Sequence, residues 1–295
     1  MNELQQELAE LENDMQQPDF WEDKEKAQKA VRRYEEVKAE LAGENKYDKG
    51  PAILTILAGA GGVDAEDFAK MLYEMYEKYA TAQGWRLRVL HENVNDHGGL
   101  RNITFLIDGK KIYGTLKNES GVHRLVRVSP FNAKQQRHTS FALVEVVPKF
   151  DKVKEVNLSD DDLKVDFFRS SGPGGQNVNK RDTAVRITHV PTGITATCDS
   201  ERSQAANRDQ ALEILEAKIY NRLEEERQAK QAGRQISKTT EVEWGSQIRS
   251  YVLHPYKMVK DHRTKVEVQE IDKVLEGELS PFIEAEKNLS NNQTL

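Results

Sequence analysis

Leu4, Leu8, Leu11 and Met15 recur at helical spacing. After a break at Pro18-Asp19-Phe20, Trp21, Ala27, Val31 and Tyr34 carry the apolar pattern on towards Leu41. The spacing predicts two helices over 2–42, paired as a hairpin with heavily charged outer faces, and 43–50 reads as a linker. The run Ala52-Ile53-Leu54-Thr55-Ile56-Leu57 predicts a buried strand. Phe68, Met71, Leu72 and Met75 form the apolar stripe of a helix from about Val63 to Ala82, with Asp64, Glu66 and Asp67 near its start, where the helix dipole favours acids. Strands are expected over 86–93, 101–118 and 138–147, with a short turn or helix over 121–127 between them. A strand over 160–168 leads into a glycine-rich stretch. Strands over 183–190 and 193–199 then flank the turn Pro191-Thr192-Gly193. A long helix over 203–232 has Leu212, Leu215, Ile219 and Leu223 facing inward, 233–267 reads as basic and irregular, and a last helix starts near Ser280. Helices and adjacent strands in this mixture predict an α+β, multidomain protein.

Charge changes this picture locally. The net charge of −6 over 295 residues argues against a polyanion partner, but it is unevenly spread. From Arg227 to Lys265 nine Lys and Arg stand against Glu241, Glu243 and Asp261. The single cysteine, Cys198, excludes an internal disulfide and fits a reducing cytoplasm, and its mid-strand setting suits a packed thiol better than a nucleophile. No secretory signal and no long apolar run are seen, so neither export nor membrane spanning is expected. Seven histidines include no pair at metal-ligand spacing, and neither a metal nor a cofactor is expected.

The chemistry centres on Arg169-Ser170-Ser171-Gly172-Pro173-Gly174-Gly175-Gln176-Asn177-Val178-Asn179-Lys180-Arg181. Gly lets the backbone approach a ligand closely, and Pro fixes its entry, so Gln176 stands on an exposed tip. Arg169, Lys180, Arg181 and Arg186 surround the tip with only Asp182 against them, which suits phosphate-rich RNA. No Walker lysine pattern or dinucleotide fingerprint fits. Hydrolysis at such a tip would work through backbone N–H groups and positioning rather than an ionisable nucleophile.

This stretch, continued by Thr183 to His189, Pro191-Thr192-Gly193 and Asp199 to Gln204, resembles the GGQ domain of bacterial peptide chain release factors. The resemblance spans about 47–285. It implies ribosome-dependent hydrolysis of the peptidyl-tRNA ester in translation termination, by a protein that is not a free-standing enzyme. The backbone shape would come from Gly174 and Gly175, and Gln176 would supply the catalytic N–H and a site for a glutamine methyltransferase. The implied partners are the ribosome with its rRNA, the mRNA stop codon and the P-site peptidyl-tRNA, in the cytoplasm. The implied division is a shortened helical hairpin at 1–46, a decoding domain over 47–150 plus 245–295, and the GGQ domain with its switch segment over 151–244.

A second constellation joins Ser129-Pro130-Phe131 to Arg137-His138-Thr139-Ser140. A serine hydroxyl can face either purine, a histidine ring can stack on a splayed base, and a threonine can bond its edge. Ser280-Pro281-Phe282 repeats the tripeptide where a helix cap explains it, so the tripeptide alone decides little. Its context, Gly121 to Phe131 and Arg137 to Phe141, resembles the decoding loop of the Ser-Pro-Phe type, which reads UAA and UGA. Val126 stands where the Pro-x-Thr type has a glutamine. The resemblance gives Ser129 to the second base, His138 and Thr139 to the second and third, and the first uridine to the helix start at Gly62 and Asp64. Trp244-Gly245-Ser246-Gln247-Ile248-Arg249 resembles the family's switch segment. Trp244 there is either a packing anchor or a stacker on ribosomal RNA, with Arg249 beside it.

The chain also departs from the family. Only the hairpin 2–42 stands where a larger helical domain is usual, so contact with the recycling GTPase is not carried over. Asp64 replaces a glutamate, and 132–136 replaces a more glycine-rich loop. Two other readings stay open: a stop-codon-independent rescue hydrolase, and a non-catalytic RNA-binding relative.

Overall fold

The computed structural model describes residues 3–15, 27, 30–31, 33–34, 37, 47–149, 158–169, 183–201, 203–231 and 244–292. Helix α1 covers Glu3–Met15, and the Tyr34 hydroxyl donates to Glu12 on it at 2.9 Å.

An eight-stranded sheet organises the molecule. Its strands are β1 (Ala52–Ala58), β2 (Arg86–Val94), β3 (Leu100–Asp108), β4 (Gly121–Val128), β5 (Arg137–Pro148), β9 (Gln247–Val252), β10 (Met258–Asp261) and β11 (Glu267–Val268), in the order β11-β10-β9-β4-β5-β1-β3-β2. All pairings are antiparallel except β4 with β9. Helix α2 (Val63–Ala82) covers one face. The alternation within each strand sorts side chains between two cores. Ala52, Leu54 and Ile56 join Phe68, Leu72 and Met75 of α2, whereas Ile53 points the other way. Both faces of β1 are thus covered, which explains a strand without polar alternation.

A three-stranded sheet of β6 (Leu163–Phe168), β7 (Ala184–His189) and β8 (Thr195–Cys198) forms a second body with α4 (Gln204–Gln231), which follows the short α3 (Ile112–Leu116) in chain order. Pro191-Thr192-Gly193 makes the turn between β7 and β8, with Gly193 at φ +70°. Val185, Ile187, Ala196 and Cys198 pack on Ala211, Ile214 and Leu215 of α4. The same core takes in Ile53, Leu90, Leu106 and Val147 from the large sheet. Short helices α5 (Ile271–Leu275) and α6 (Ser280–Asn292) close the chain against the first core.

Four expectations are corrected. Residues 121–127 are a strand, β4, because both faces of the segment are buried: His123 and Leu125 on one, Val122 and Val126 on the other. The strand expected over 101–118 stops at Asp108, where Gly109 takes φ +158° and the chain turns into α3. The basic stretch 233–267 holds β9, β10 and the start of β11 within its described part. Leu223 lies exposed on α4, beyond the reach of the core.

Candidate functional site

The hairpin β4–β5 ends in a loop whose own hydrogen bonds shape it. Ser129 N–H donates to the Gln136 carbonyl at 3.2 Å, and Gln135 N–H to the Asn132 carbonyl at 2.9 Å. The Ser129 hydroxyl accepts the Phe131 N–H at 3.2 Å, and the residue is 3% exposed. Pro130 and Phe131 project instead, Phe131 being 46% exposed. Val128 to Phe131 line an open cavity of about 530 Å³ together with Asn132, Ala133 and Gln135. The Arg127 guanidinium lies 6.0 Å from the Phe131 ring centre and the His97 ring 6.3 Å, so the exposed aromatic is flanked rather than free.

The start of α2 meets this loop. Gly62 caps the helix with φ 60°, a backbone shape that favours glycine, and a Cβ on Gly61 would come within 2.6 Å of the Ser140 hydroxyl. Asp64, 3% exposed, does not face outward. Its Oδ1 accepts from Arg127 Nε at 2.9 Å and Nη2 at 2.5 Å, while Asp67 takes Arg127 Nη2 at 2.7 Å. Asp64 Oδ2 lies 3.7 Å from His138 Nδ1. The Asp64 side chain therefore holds Arg127 and stands against His138, because a carboxylate this buried is stable only when its charge is compensated. His138 is half-buried, and its Nε2 lies 2.8 Å from Asn132 Nδ2. Thr139 is exposed, and it pairs in register with Val126, which is buried. Gly62, Phe131, His138 and Thr139 thus share one end of the sheet, and Ser129 lies behind them. Sequence reasoning missed Arg127, Asp67, His97 and Asn132. The register of β4 against β5 places Arg127 opposite His138, a signal that appears only once both segments are read as paired strands.

Gly174, Gly175 and Gln176 lie outside the described residues. Their frame does not: Phe168 pairs with Ala184, so the chain leaves and re-enters at the same end of the small sheet. The Arg186 guanidinium sits 5.2 Å from the Phe168 ring there.

In the expected switch region, Trp244 packs. Its ring fills the space where Gly59 lacks a side chain, and Phe141 lies 6.4 Å away. Arg249, in the same segment, faces inward. It is fully buried, donating to Glu119 Oε1 and Oε2 at 2.6 and 2.8 Å and to Glu286 Oε1 at 2.6 Å, with its guanidinium 4.4 Å from the Phe282 ring. No group of three His, Cys, Asp or Glu that could hold a metal occurs among the described residues, and no helix there is long and apolar enough to cross a membrane.

Two family descriptions match the chain: the PCRF domain over 30–144 and the RF-1 domain over 151–263. The chain is 39% identical to peptide chain release factor 2 of an Exiguobacterium species, with 97% of this chain and 91% of that protein covered. It is 40% identical to peptide chain release factor 2 of Thermotoga petrophila, covering 97% and 90%. Its structure is similar to that of release factor 2 of Thermus thermophilus, with a TM-score of 0.72, 41% identity, and coverage of 96% of this chain and 80% of that one. Matched by both family descriptions along most of its length and about 40% identical to release factor 2 proteins over nearly the whole chain, the chain belongs to the peptide chain release factors of translation termination, release factor 2 type.

Proposed function

We propose that this chain reads UAA and UGA in the ribosomal A site and promotes hydrolysis of the peptidyl-tRNA ester held in the P site. The observation that carries the reading is that Pro130, Phe131, His138 and Thr139 lie together at the loop end of the β4–β5 hairpin, with His138 set against Asp64 at the start of α2. Unpaired RNA bases offer flat faces and unsatisfied edges. An imidazole face stacks on the first kind of surface, and a threonine hydroxyl bonds the second. The first uridine meets the helix start at Gly62, where backbone N–H groups face a carbonyl oxygen. Ser129 backs the loop: its hydroxyl spends an acceptor site on Phe131 and keeps its proton to donate. Val126 lies buried beneath Thr139 and leaves its hydroxyl without a polar competitor from that position.

Gly174, Gly175 and Gln176 carry the hydrolytic step in this proposal. The Gln176 N–H stabilises the oxygen on which charge develops, a contribution worth about 100- to 1,000-fold in rate for one such donor. The basic flank, Arg169, Lys180, Arg181 and Arg186, suits the surrounding phosphates. Gln176 is also the proposed acceptor for a glutamine methyltransferase. The protein works on ribosomes in the cytoplasm.

Peptide release from ribosomes programmed with UAA, UGA, UAG or a sense codon tests the reading. Release on UAA and UGA alone is expected. Equal release on all four, or only from an empty A site, would mean a rescue hydrolase instead. No release at all would mean a binding protein.

A further inference from the structure

Two nitrogens face each other at the mouth of the decoding loop. Asn132 Nδ2 lies 2.8 Å from His138 Nε2, so one donates and the other accepts. The rest of the asparagine decides which. Its Oδ1 accepts the Lys134 N–H at 2.8 Å, and its Nδ2 also lies 3.4 Å from Gln136 Oε1, an acceptor. A flipped amide would set its oxygen against the Gln136 oxygen and its NH2 against the Lys134 N–H, two repulsive contacts in place of two bonds. Asn132 Nδ2 therefore donates, and His138 Nε2 carries a lone pair. The ring proton belongs on Nδ1, which faces Asp64 Oδ2 at 3.7 Å. Asp64 can offer that oxygen because Arg127 has taken the other one.

We propose that Asn132 is a positioning residue for codon reading: its carboxamide donates to His138 Nε2, which fixes the ring and leaves its proton on Nδ1, beside Asp64. The inference rests on the proposal that His138 meets the codon. The consequence is specific. A ring held at Nε2 by Asn132 and flanked at Nδ1 by Asp64 presents its face to the base. A stacked face takes adenine or guanine alike, which suits a second position that must accept both. Edge discrimination then falls to Thr139, which is exposed beside it. The groups facing the ring are Asp64 from α2, Arg127 from β4, and Asn132 with Gln136 from the loop. Asn132 is the donor among them that faces Nε2.

Asn132→Asp isolates that donor, because the new carboxylate still accepts the Lys134 N–H while turning an acceptor towards Nε2. Long-range proton–nitrogen correlation on the full-length protein at pH 7 reads the tautomer directly. In the unsubstituted chain Nδ1 is expected as the protonated nitrogen and Nε2 as the bare one. In Asn132→Asp Nε2 is expected to carry a proton, donated to the introduced carboxylate. Release assays should show KM on UAA and UGA ribosomes raised on the order of 5-fold with kcat kept, the scale of one hydrogen bond to the ring being reversed in direction. A protonated Nε2 in the unsubstituted chain, or identical spectra in the two proteins, overturns the inference. So does an unchanged KM in a variant whose tautomer has changed. If the unsubstituted chain releases peptide without regard to codon, the codon-reading proposal falls while the spectra still decide the tautomer.

Discussion

Arg249 shows what a single side chain can reveal once its surroundings are known. It belongs to a buried set of two guanidiniums, Arg249 and Arg263, and three carboxylates, Glu119, Asp261 and Glu286. Fully ionised, the set would carry one uncompensated negative charge in the core. Burial pushes Asp261 up, but the hydrogen bond and charge of Arg263 more than offset this and hold it well below the usual range. Burial also opposes ionisation of Glu119, and Arg249 more than offsets it. Glu286 takes the remainder: burial, then the neighbouring Glu119, push it up to about 9. Next to this set, burial and Arg249 press His123 down to about 4. The neutral ring is satisfied by donating Nε2–H to the Glu119 carbonyl at 3.1 Å and accepting from the Tyr251 hydroxyl at 3.3 Å.

The two shifts act on stability in opposite directions. The unfolded chain protonates His123 near 6.5 and the fold only near 4, so its contribution is lost as pH falls through that window. Glu286 keeps its proton in the fold up to about 9, whereas the unfolded chain releases it near 4.5, so stability falls as pH rises between those values. Glu286→Gln mimics the protonated side chain and removes only the second effect. Thermal melts at pH 5, 7 and 9 should show the variant gaining on the unsubstituted protein as pH rises, by more than ~1 kcal/mol across the range. A constant gap at all three values would mean that Glu286 is ionised in the fold.

At the scale of elements, legibility tracked how local the determinant was. The α2 stripe, the β1 run and the 191–193 turn are set by neighbours in sequence, and they stand where spacing predicts. Strand β9 was hidden because its partner, β4, lies more than a hundred residues earlier, and because Arg249 made a buried strand look basic. Residues 121–127 were misread because Val122, Leu125 and Val126 imitate a helical stripe when one face is assumed buried and both are. The decoding loop was legible as a set of residue types, but not its support. Nothing in the spacing shows that Asp64 turns inward to Arg127, or that Ser129 is tucked beneath Phe131.

Trp244 offers a test at this scale. A Cβ on Gly59 would lie 2.1 Å from a carbon of its ring, so the strand end and the start of the switch segment fit only because position 59 has no side chain. Gly59→Ala must displace the indole, at a cost of about 1–3 kcal/mol for an overpacked contact. Tryptophan emission should shift to the red, and the shift should vanish when Gly59→Ala is placed in a Trp244→Phe background. A shift that survives there would locate the disturbance at another tryptophan and leave the Trp244 contact unsupported.

The whole molecule poses a different question, because its two bodies share one core. Leu90 and Val147 of the large sheet pack with Val185 and Leu215 of the second body. The seam is reinforced by polar contacts: Lys218 with Glu145 at 2.6 Å, Arg88 with Glu201 at 3.6 Å, and His91 Nδ1 at 2.9 Å from Asp199 Oδ1, without the alignment of a hydrogen bond. The lone cysteine sits at this seam. Cys198 Sγ donates to the Leu90 carbonyl at 3.3 Å across it and lies 3.1 Å from Gln210 Oε1 within the second body. Burial pushes the thiol up, so in the intact fold it is neither accessible nor readily ionised. Its reaction with a thiol reagent therefore counts openings, and two motions could supply them. If the bodies part along the seam, Asp199→Ala should speed labelling several-fold, since it removes a seam contact worth up to ~1 kcal/mol and leaves the packing of α4 on β8 in place. If α4 lifts within the second body, Gln210→Ala should speed it instead. Because Cys198 holds the only thiol in the chain, one labelling rate in each variant decides between them. The shared core leads us to expect the Asp199→Ala response. Acceleration by Gln210→Ala alone would mean that the seam stays shut and the opening motion belongs to the small sheet and its helix.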